Sequence, residues 1–466
     1  MRQDLAVTLQ GHAAELENGQ ATSVGLVERA FQRIEAFDSR LNSFVALGRP
    51  GALAAAKQSD ERRARGHARS RLDGIPISVK DNLHAAGFPT TWGSRALQDY
   101  RPTKDELPIA RLRRAGMIVI GKTNVPEFTL EGYTRNDLFG VTRNPWNTNL
   151  TPGGSSGGAA ASVAAGFVPA AIGTDGGGSI RRPACHTGLV GYKPSIGRWP
   201  RADGLPAILT DFETIGSLAR TVEDTLLLDT VLRGHDLRDW RSSTVPAPSW
   251  RNKAARILYV PRFGAAPVDP EVASQVEAFG RQLSSMGYDV REGEVFFDLE
   301  IAARVWHVVS RAGVAWLMAE NPAYEKVAGA SARAMAEDGR KVSGADYLGA
   351  LEAVSAIRRL VAELFDGVDL VLTPTAAALP WVADKPYPDG IDGKPAGPRD
   401  HAIFTGWVNI AGVPAVNLPI GVSRSGLPIG AHLAASFGAD EQLLAFAREV
   451  SGAIPPLAFP QFEAAP

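Results

Sequence analysis

Cysteine is all but missing from this chain: Cys185 is the only one among 466 residues. An internal disulfide is thereby excluded, and the usage suits a reducing compartment. His186 adjoins Cys185, but neighbouring side chains on an extended backbone point apart, so Cys185 reads as structural and not as a thiol nucleophile. Also missing are a run of about 18 apolar residues, the minimum for a membrane span, and the apolar stretch of a signal peptide within residues 1–20. These absences predict a soluble cytoplasmic protein with no membrane partner. Charge of one sign is lacking too, since 49 Lys and Arg face 50 Asp and Glu. The electrostatic footprint of a nucleic-acid binder is therefore absent, and the basic stretch at 62–71 reads as a solvated face. The eight histidines show no HExxH-like spacing, so no metal site is expected. Nothing calls for an organic cofactor. The oligomeric state is left open, a homodimer included.

What is present supports a substantial core: 45% of residues are apolar and 21% charged. Val24, Val27, Phe31, Ile34, Phe37 and Leu41 recur at helical spacing behind Thr22 and Ser23, which can cap a helix start. A second, Ala-rich helix is expected over 51–64. A turn at Asp73-Gly74 then leads into the apolar run 75–79. Helix-like and strand-like segments alternate from there, as in 109–115 with 117–120 and 222–232 with 257–260. Further strands are expected at 368–372, 415–418 and 429–433, and a last helix over 441–454. This alternation predicts an α/β fold with a sheet covered by helices. Residues 246–365 read as a mainly helical cap.

One motif has to be set aside. Gly116 through Thr123 fits GxxxxGK[ST] letter for letter. In a phosphate loop the four intervening residues form the loop, whereas Met117, Ile118, Val119 and Ile120 are themselves a strand. Nucleotide binding is not expected.

Two segments place serines inside glycine runs: Thr151-Pro-Gly-Gly-Ser155-Ser156-Gly-Gly158 and Thr174-Asp175-Gly176-Gly177-Gly178-Ser179-Ile-Arg181. They could be flexible linkers, but they are bracketed by helix-compatible sequence at 159–165 and strand-like sequence at 168–172. Glycine there serves close backbone approach and unusual dihedrals. Consecutive N–H groups of Gly176, Gly177, Gly178 and Ser179 can converge as an oxyanion hole, with Ser179 where a nucleophile belongs. Removing one such donor typically costs about 10² to 10³ in rate. Gly153 to Gly157 also fits G-x-S-x-G, yet residues 147–152 upstream are loop-like, so a nucleophile elbow is not expected. A lysine can serve as the base if its pKa falls from about 10.4 to near 7, at a cost of roughly 4 kcal/mol that burial supplies. Lys80 directly follows the apolar run 75–79, which gives it a buried address.

Here the sequence resembles the amidase signature family. Gly74-Ile-Pro-Ile-Ser-Val-Lys80-Asp resembles that family's lysine motif, Gly153-Gly-Ser-Ser-Gly-Gly158 its Gly/Ser motif, and Gly173-Thr-Asp-Gly-Gly-Gly-Ser-Ile-Arg181 its nucleophile segment. The separations also match: 75 residues from Lys80 to Ser155 and 24 from Ser155 to Ser179. The likeness covers nearly the whole chain and is weakest over 235–365. It implies one amidase domain over 1–466, with a mixed twisted sheet covered by helices on both faces. Within it, 1–70 would be an N-terminal helical region, 71–235 the signature core, 236–365 a variable cap, and 366–466 the rest of the sheet.

It also implies Ser179 as nucleophile, Ser155 as a bridging serine on a cis peptide, and Lys80 as general base. Ser156, Thr174 and Asp175 would support them, with Asp175 and Arg181 as a charge pair that fixes the loop. Lys193 reads as structural. The implied activity is amide hydrolysis on a small-molecule substrate, with esters and carbamates as side substrates.

Two departures stand out. Gly176 occupies a place where many relatives carry Thr, Ser or Ile, which predicts a roomier or looser hole. Arg182 adds a second cation beside Arg181 and is open to two readings, an anionic substrate group or a surface salt bridge. Two rivals remain. The A component of a tRNA-dependent amidotransferase would share these motifs, but Ala402 stands where such chains usually carry an Asp. A binding protein with a decayed site is opposed by intact Lys80, Ser155 and Ser179. Trp146, Trp306, Trp316, Phe404 and Trp407 favour an apolar or aryl substrate, and residues 430–438 look more like aryl-acylamidases and nylon-oligomer hydrolases.

Overall fold

The computed structural model describes residues 7–243, 255–294 and 296–460. The expected first amphipathic helix is α2 (Ser23–Phe37), which follows α1 (Leu9–Glu17). Thr22 caps α2 by accepting the N–H of Gly25 at 3.0 Å. Leu41 lies beyond the helix, past a short turn at Asp38–Arg40. The Ala-rich helix is α3 (Arg49–Ala64), and α4 (Leu107–Arg114) precedes the strand that fits the phosphate-loop letters.

Eleven strands form one mixed sheet. In chain order they are β1 (Phe44–Leu47), β2 (Pro76–Lys80), β3 (Ile118–Thr123), β4 (Ala170–Asp175), β5 (Val190–Lys193) and β6 (Thr214–Ala219). The rest are β7 (Arg256–Tyr259), β8 (Asp289–Glu292), β9 (Leu370–Pro374), β10 (Ala415–Val422) and β11 (Pro428–Ala435). Across the sheet the order is β1, β3, β2, β4, β6, β5, β10, β11, β9, β7, β8. Strands β2 to β6 and β9 are buried along their length, as strands covered on both faces must be. The strand expected at 257–260 is β7. The stretch expected to be a mainly helical cap also contributes β8, which forms the edge of the sheet beside β7. Its sequence, Asp-Val-Arg-Glu, has a single apolar residue and so carries almost no strand pattern.

Two features of this topology place the site. β2 pairs in parallel with β4, Ser78 opposite Ala171 and Val79 opposite Ile172. Their carboxyl ends therefore emerge side by side, and open α/β sheets present ligand sites at such ends. The Gly-rich and Ala-rich helix α5 (Gly157–Ala164) is wholly buried against them. A Cβ on Gly158 would lie 2.5 Å from the backbone nitrogen of Asn124, so only glycine permits this approach.

The remaining helices are α6 (Arg181–Thr187), α7 (Val222–Leu232), α8 (Pro270–Ser285), α9 (Leu299–Glu320), α10 (Pro322–Val327), α11 (Ala330–Gly339), α12 (Gly344–Gly367), α13 (Gly406–Ala411) and α14 (Asp440–Ser451). Among the described residues no helix is long and apolar enough to cross a membrane.

Candidate active site

Lys80 is the last residue of β2 and is fully buried. Its Nζ lies 2.8 Å from Ser155 Oγ, 2.9 Å from Thr174 Oγ1 and 3.2 Å from the Thr174 carbonyl. Burial pushes its pKa down to about 7, against the opposing charges of Glu213 and Asp175 and with help from Arg201 and Arg182. Near neutral pH much of the group is therefore an uncharged amine, with two hydrogens and one lone pair. The two Thr174 oxygens accept the hydrogens, which leaves the lone pair to receive the hydroxyl hydrogen of Ser155.

The Gly154–Ser155 peptide is cis. Ser155 is 1% exposed and Ser179 8%. The N–H of Ser156 donates to the Ser179 carbonyl at 3.1 Å, which seats the loop that carries Ser179 on the segment that carries Ser155. Ser156 Oγ donates to the Thr174 carbonyl at 3.2 Å, and Asn82 Nδ2 donates to Thr174 Oγ1 at 3.0 Å.

The loop after β4 is organised by Asp175. Its carboxylate accepts the N–H of Gly178 at 2.7 Å and of Ile180 at 3.1 Å. Arg181 adds a two-pronged contact through Nε at 3.0 Å and Nη2 at 2.9 Å. Burial alone would raise the Asp175 carboxyl, but Arg181 and these N–H groups outweigh it and hold the group well below the usual carboxylate range. The expected pairing of Asp175 with Arg181 is thus present and buried.

Two expectations for this loop are corrected. The glycine run suggests Gly178 as an oxyanion donor, yet its N–H is committed to Asp175. The other three candidates, Gly176, Gly177 and Ser179, keep N–H groups without an acceptor among the described residues. Gly178 instead supplies the bend: its φ is +110°, and a Cβ there would lie 2.2 Å from Thr405 Oγ1. Gly176 does not leave a roomier hole either, because Leu209 Cδ1 lies 2.7 Å from the position of its missing Cβ. A neighbouring leucine fills the space.

Arg182 is 2% exposed and makes no ion pair among the described residues, which removes the surface salt bridge. Its Nε donates to the Gly178 carbonyl at 3.4 Å and its Nη1 to His401 Nε2 at 2.9 Å. Burial, with Arg399 nearby, pushes its pKa down to about 9.

Residues from the far end of the chain complete the surroundings. Thr405 Oγ1 donates to the Gly177 carbonyl at 2.9 Å, and Asn409 Oδ1 accepts from Arg181 Nη2 at 2.6 Å. No local sequence pattern assigns these contacts. Of the aromatic residues, Trp306 reaches the loop: its ring atoms lie 3.1 Å from where a Gly177 Cβ would be. Phe404 and Trp407 are core residues, Trp146 donates to the Thr187 carbonyl, and Trp316 is exposed.

Other reactive groups are accounted for. Lys122, from the rejected phosphate-loop match, is buried in β3 and donates to Leu83 O at 2.6 Å and Thr90 Oγ1 at 3.0 Å, with Asp81 at 3.5 Å. Lys193 Nζ donates to the Pro194 carbonyl at 2.7 Å. Burial pushes the Cys185 thiol up to about 12, so it is no thiolate at neutral pH. A cavity of about 620 Å³ lined by Trp240, Arg358, Phe365 and Phe437 includes none of Lys80, Ser155 and Ser179. Among the described residues no group of three or more His, Cys, Asp or Glu side chains is arranged to hold a metal ion.

A helix-covered mixed sheet whose strand ends hold a buried lysine against a glycine-borne serine defines an α/β enzyme of amide C–N bond chemistry. The Amidase family model matches residues 25–444, and the chain belongs to that amidase signature family. It is 34% identical over 474 residues to the A chain of the glutamyl-tRNA(Gln) amidotransferase of Synechococcus sp. (strain CC9605), covering 95% of each chain. Among solved structures it resembles a bacterial aryl acylamidase of the amidase signature family, with TM-score 0.88, 27% identity and 96% of each chain covered. It also resembles the corresponding amidotransferase component from Thermotoga maritima, with TM-score 0.76, 26% identity, and 95% and 94% covered.

Proposed function

We propose that this enzyme hydrolyses carboxylic amides by acyl transfer, with Ser179 as nucleophile, Ser155 as proton bridge and Lys80 as general base. The observation that carries this reading is the 2.8 Å contact between a fully buried Lys80 Nζ and Ser155 Oγ. Ser179 Oγ attacks the carbonyl carbon as its proton passes to Ser155 Oγ, whose own proton passes to Lys80 Nζ. Negative charge develops on the carbonyl oxygen, where the free N–H groups of Gly176, Gly177 and Ser179 stabilise it. Collapse breaks the C–N bond, the departing nitrogen takes the proton back along the same path, and the acyl group stays on Ser179. Water then repeats the sequence and releases the acid. Ser156, Thr174 and Asp175 with Arg181 hold these groups in place. Trp306 beside Gly177 supports apolar or aryl amides, and because the relay sets no requirement on the leaving group, esters and carbamates follow as side substrates.

The relatives support a second reading, an amidotransferase component that releases ammonia from glutamine for partner chains. Against it, Ala402 is buried and offers no carboxylate to an amino group. A panel of p-nitroanilides, p-nitrophenyl esters, carbamates and glutamine, run on the isolated chain, separates the two. The hydrolytic reading expects anilide turnover without partners, together with fluorophosphonate labelling of Ser179. Activity confined to glutamine, or silence across the panel with no labelling, contradicts it.

A further inference from the structure

Three charged side chains form a row beside the base and take no part in the proton relay. Arg201 donates from Nε to Glu106 Oε1 and from Nη1 to Glu213 Oε1. The two ends of the row are tied to the two segments that build the site. Glu106 is fully buried and accepts the N–H of His84, four residues after Lys80, at 3.3 Å. Glu213 directly precedes Thr214, the β6 residue paired with Asp175 at the end of β4. Its Cβ lies 3.7 Å from the point a Cβ on Gly176 would occupy.

Two carboxylates share one guanidinium, so the row carries one negative charge in excess. Burial alone would lower the Arg201 guanidinium, but the two carboxylates outweigh it and keep it charged. The neighbouring groups do not cancel the excess. Asp239 accepts the Arg201 N–H and pairs with Arg241, and Lys122 is held by Asp81. Burial depresses the pKa of His84, which keeps it neutral. At Lys80 itself, Asp175 is already matched by Arg181, Arg182 acts from α6 in the opposite sense, and Glu213 is the charge with the largest influence. When the relay runs, Lys80 becomes an ammonium in a fully buried site, where desolvation penalises charge. A nearby negative charge in such a site is screened little.

We propose that Glu213, locked in place by Arg201 and Glu106, is a positioning residue that acts through Lys80: its charge stabilises the ammonium formed when Ser155 hands over its proton. Without that charge, burial leaves Lys80 uncharged but too weak a base to draw the proton from the serines. This rests on the reading of Lys80 as general base.

The test is the pH profile of kcat/KM for 4-nitroacetanilide, a substrate without an ionising group in the working range, on the full-length enzyme. Glu213→Gln keeps the shape of the side chain and an acceptor for Arg201. Removing the charge makes the ammonium harder to form, so Lys80 gives up its proton at lower pH. The expected result is an acid limb moved down by at least about half a pH unit, with a high-pH plateau about threefold or more lower. Glu106→Gln, on the far side of Arg201, moves the limb in the same direction, and it decides the matter should Glu213→Gln fail to fold. Glu213→Asp retains the charge and returns the limb to its place in the unmodified enzyme. A limb that stays put or moves up in a folded glutamine variant overturns the role of Glu213 and leaves Lys80 as the base, whatever the melting temperature does. A limb that moves equally in Glu213→Asp assigns the effect to packing and overturns it as well. No acid limb near pH 7 in the unmodified enzyme, or no turnover of the anilide, overturns the reading of Lys80 and this proposal with it.

Discussion

Asn409 reaches back 234 residues along the chain to donate from one nitrogen to both the main-chain oxygen of Asp175, at 2.8 Å, and its carboxylate, at 3.0 Å. The same amide donates to the Phe212 carbonyl, while its oxygen takes a hydrogen from Arg181. The last third of the chain thus fixes the loop on which Ser179 sits. Replacing Asn409 by Ala strands buried partners, a loss of about 1 to 3 kcal/mol. The expected outcome is a lower melting temperature together with a fall in kcat of at least tenfold for anilide hydrolysis. A melting shift with unchanged kcat would mean that Asn409 holds the fold and not the loop.

Gly178 makes a second test of that loop. An alanine there meets Thr405 Oγ1 and must also adopt φ near +110°. Gly178→Ala is therefore expected to cost about 1 to 3 kcal/mol for the backbone alone, with kcat falling sharply. Pairing it with Thr405→Ala removes the Oγ1 part of the collision but leaves Thr405 Cβ at 2.7 Å, Arg182 Nε at 2.8 Å and the dihedral. A double-mutant cycle should show partial recovery of stability; complete recovery would place the whole cost in the collision.

Lys122 separates a sequence match from a function. In the structure it is a buried cation held by Asp81, Leu83 and Thr90. Lys122→Met leaves Asp81 buried without its cation, so unfolding stability should drop by about 3 to 5 kcal/mol. Adding ATP with Mg²⁺ should leave the melting temperature of the unmodified enzyme where it was. A thermal shift that grows with nucleotide concentration would reverse the rejection of the phosphate loop.

The pH dependence follows from Lys80. Its pKa lies below the ordinary lysine value, near 7, and the base works as the neutral amine, so activity is gained as pH rises through that value and lost below it. In kcat/KM against pH the acid limb should bend near pH 7 and fall about tenfold per pH unit further down. A profile flat from pH 5 to 9 would remove Lys80 from proton transfer.

Much of the fold and the site is legible in the sequence. Residues 75–79 are apolar because β2 is covered on both faces, and that same burial depresses the pKa of Lys80. Asp175 and Arg181 lie close together in the chain on one glycine-rich turn, so their pairing can be read there. The commitment of the Gly178 N–H to Asp175 cannot, since a run of glycines does not reveal which N–H turns toward a carboxylate. Leu209 filling the space beside Gly176 is also hidden, because that contact joins segments with no shared pattern. The same holds for Asn409, which tertiary folding brings to the loop. The edge strand β8 escapes a mainly helical reading because a short strand at a sheet edge carries little hydrophobic signal.

The most direct test of the account is anilide turnover by Lys80→Met, a near-isosteric change that keeps an apolar stem in the core and removes the amine. The account predicts that kcat/KM falls by about 10² to 10⁴ in a protein that still melts cooperatively. Turnover within about twofold of the unmodified enzyme would contradict it, since a general base that contributes about 10² or more cannot be dispensable.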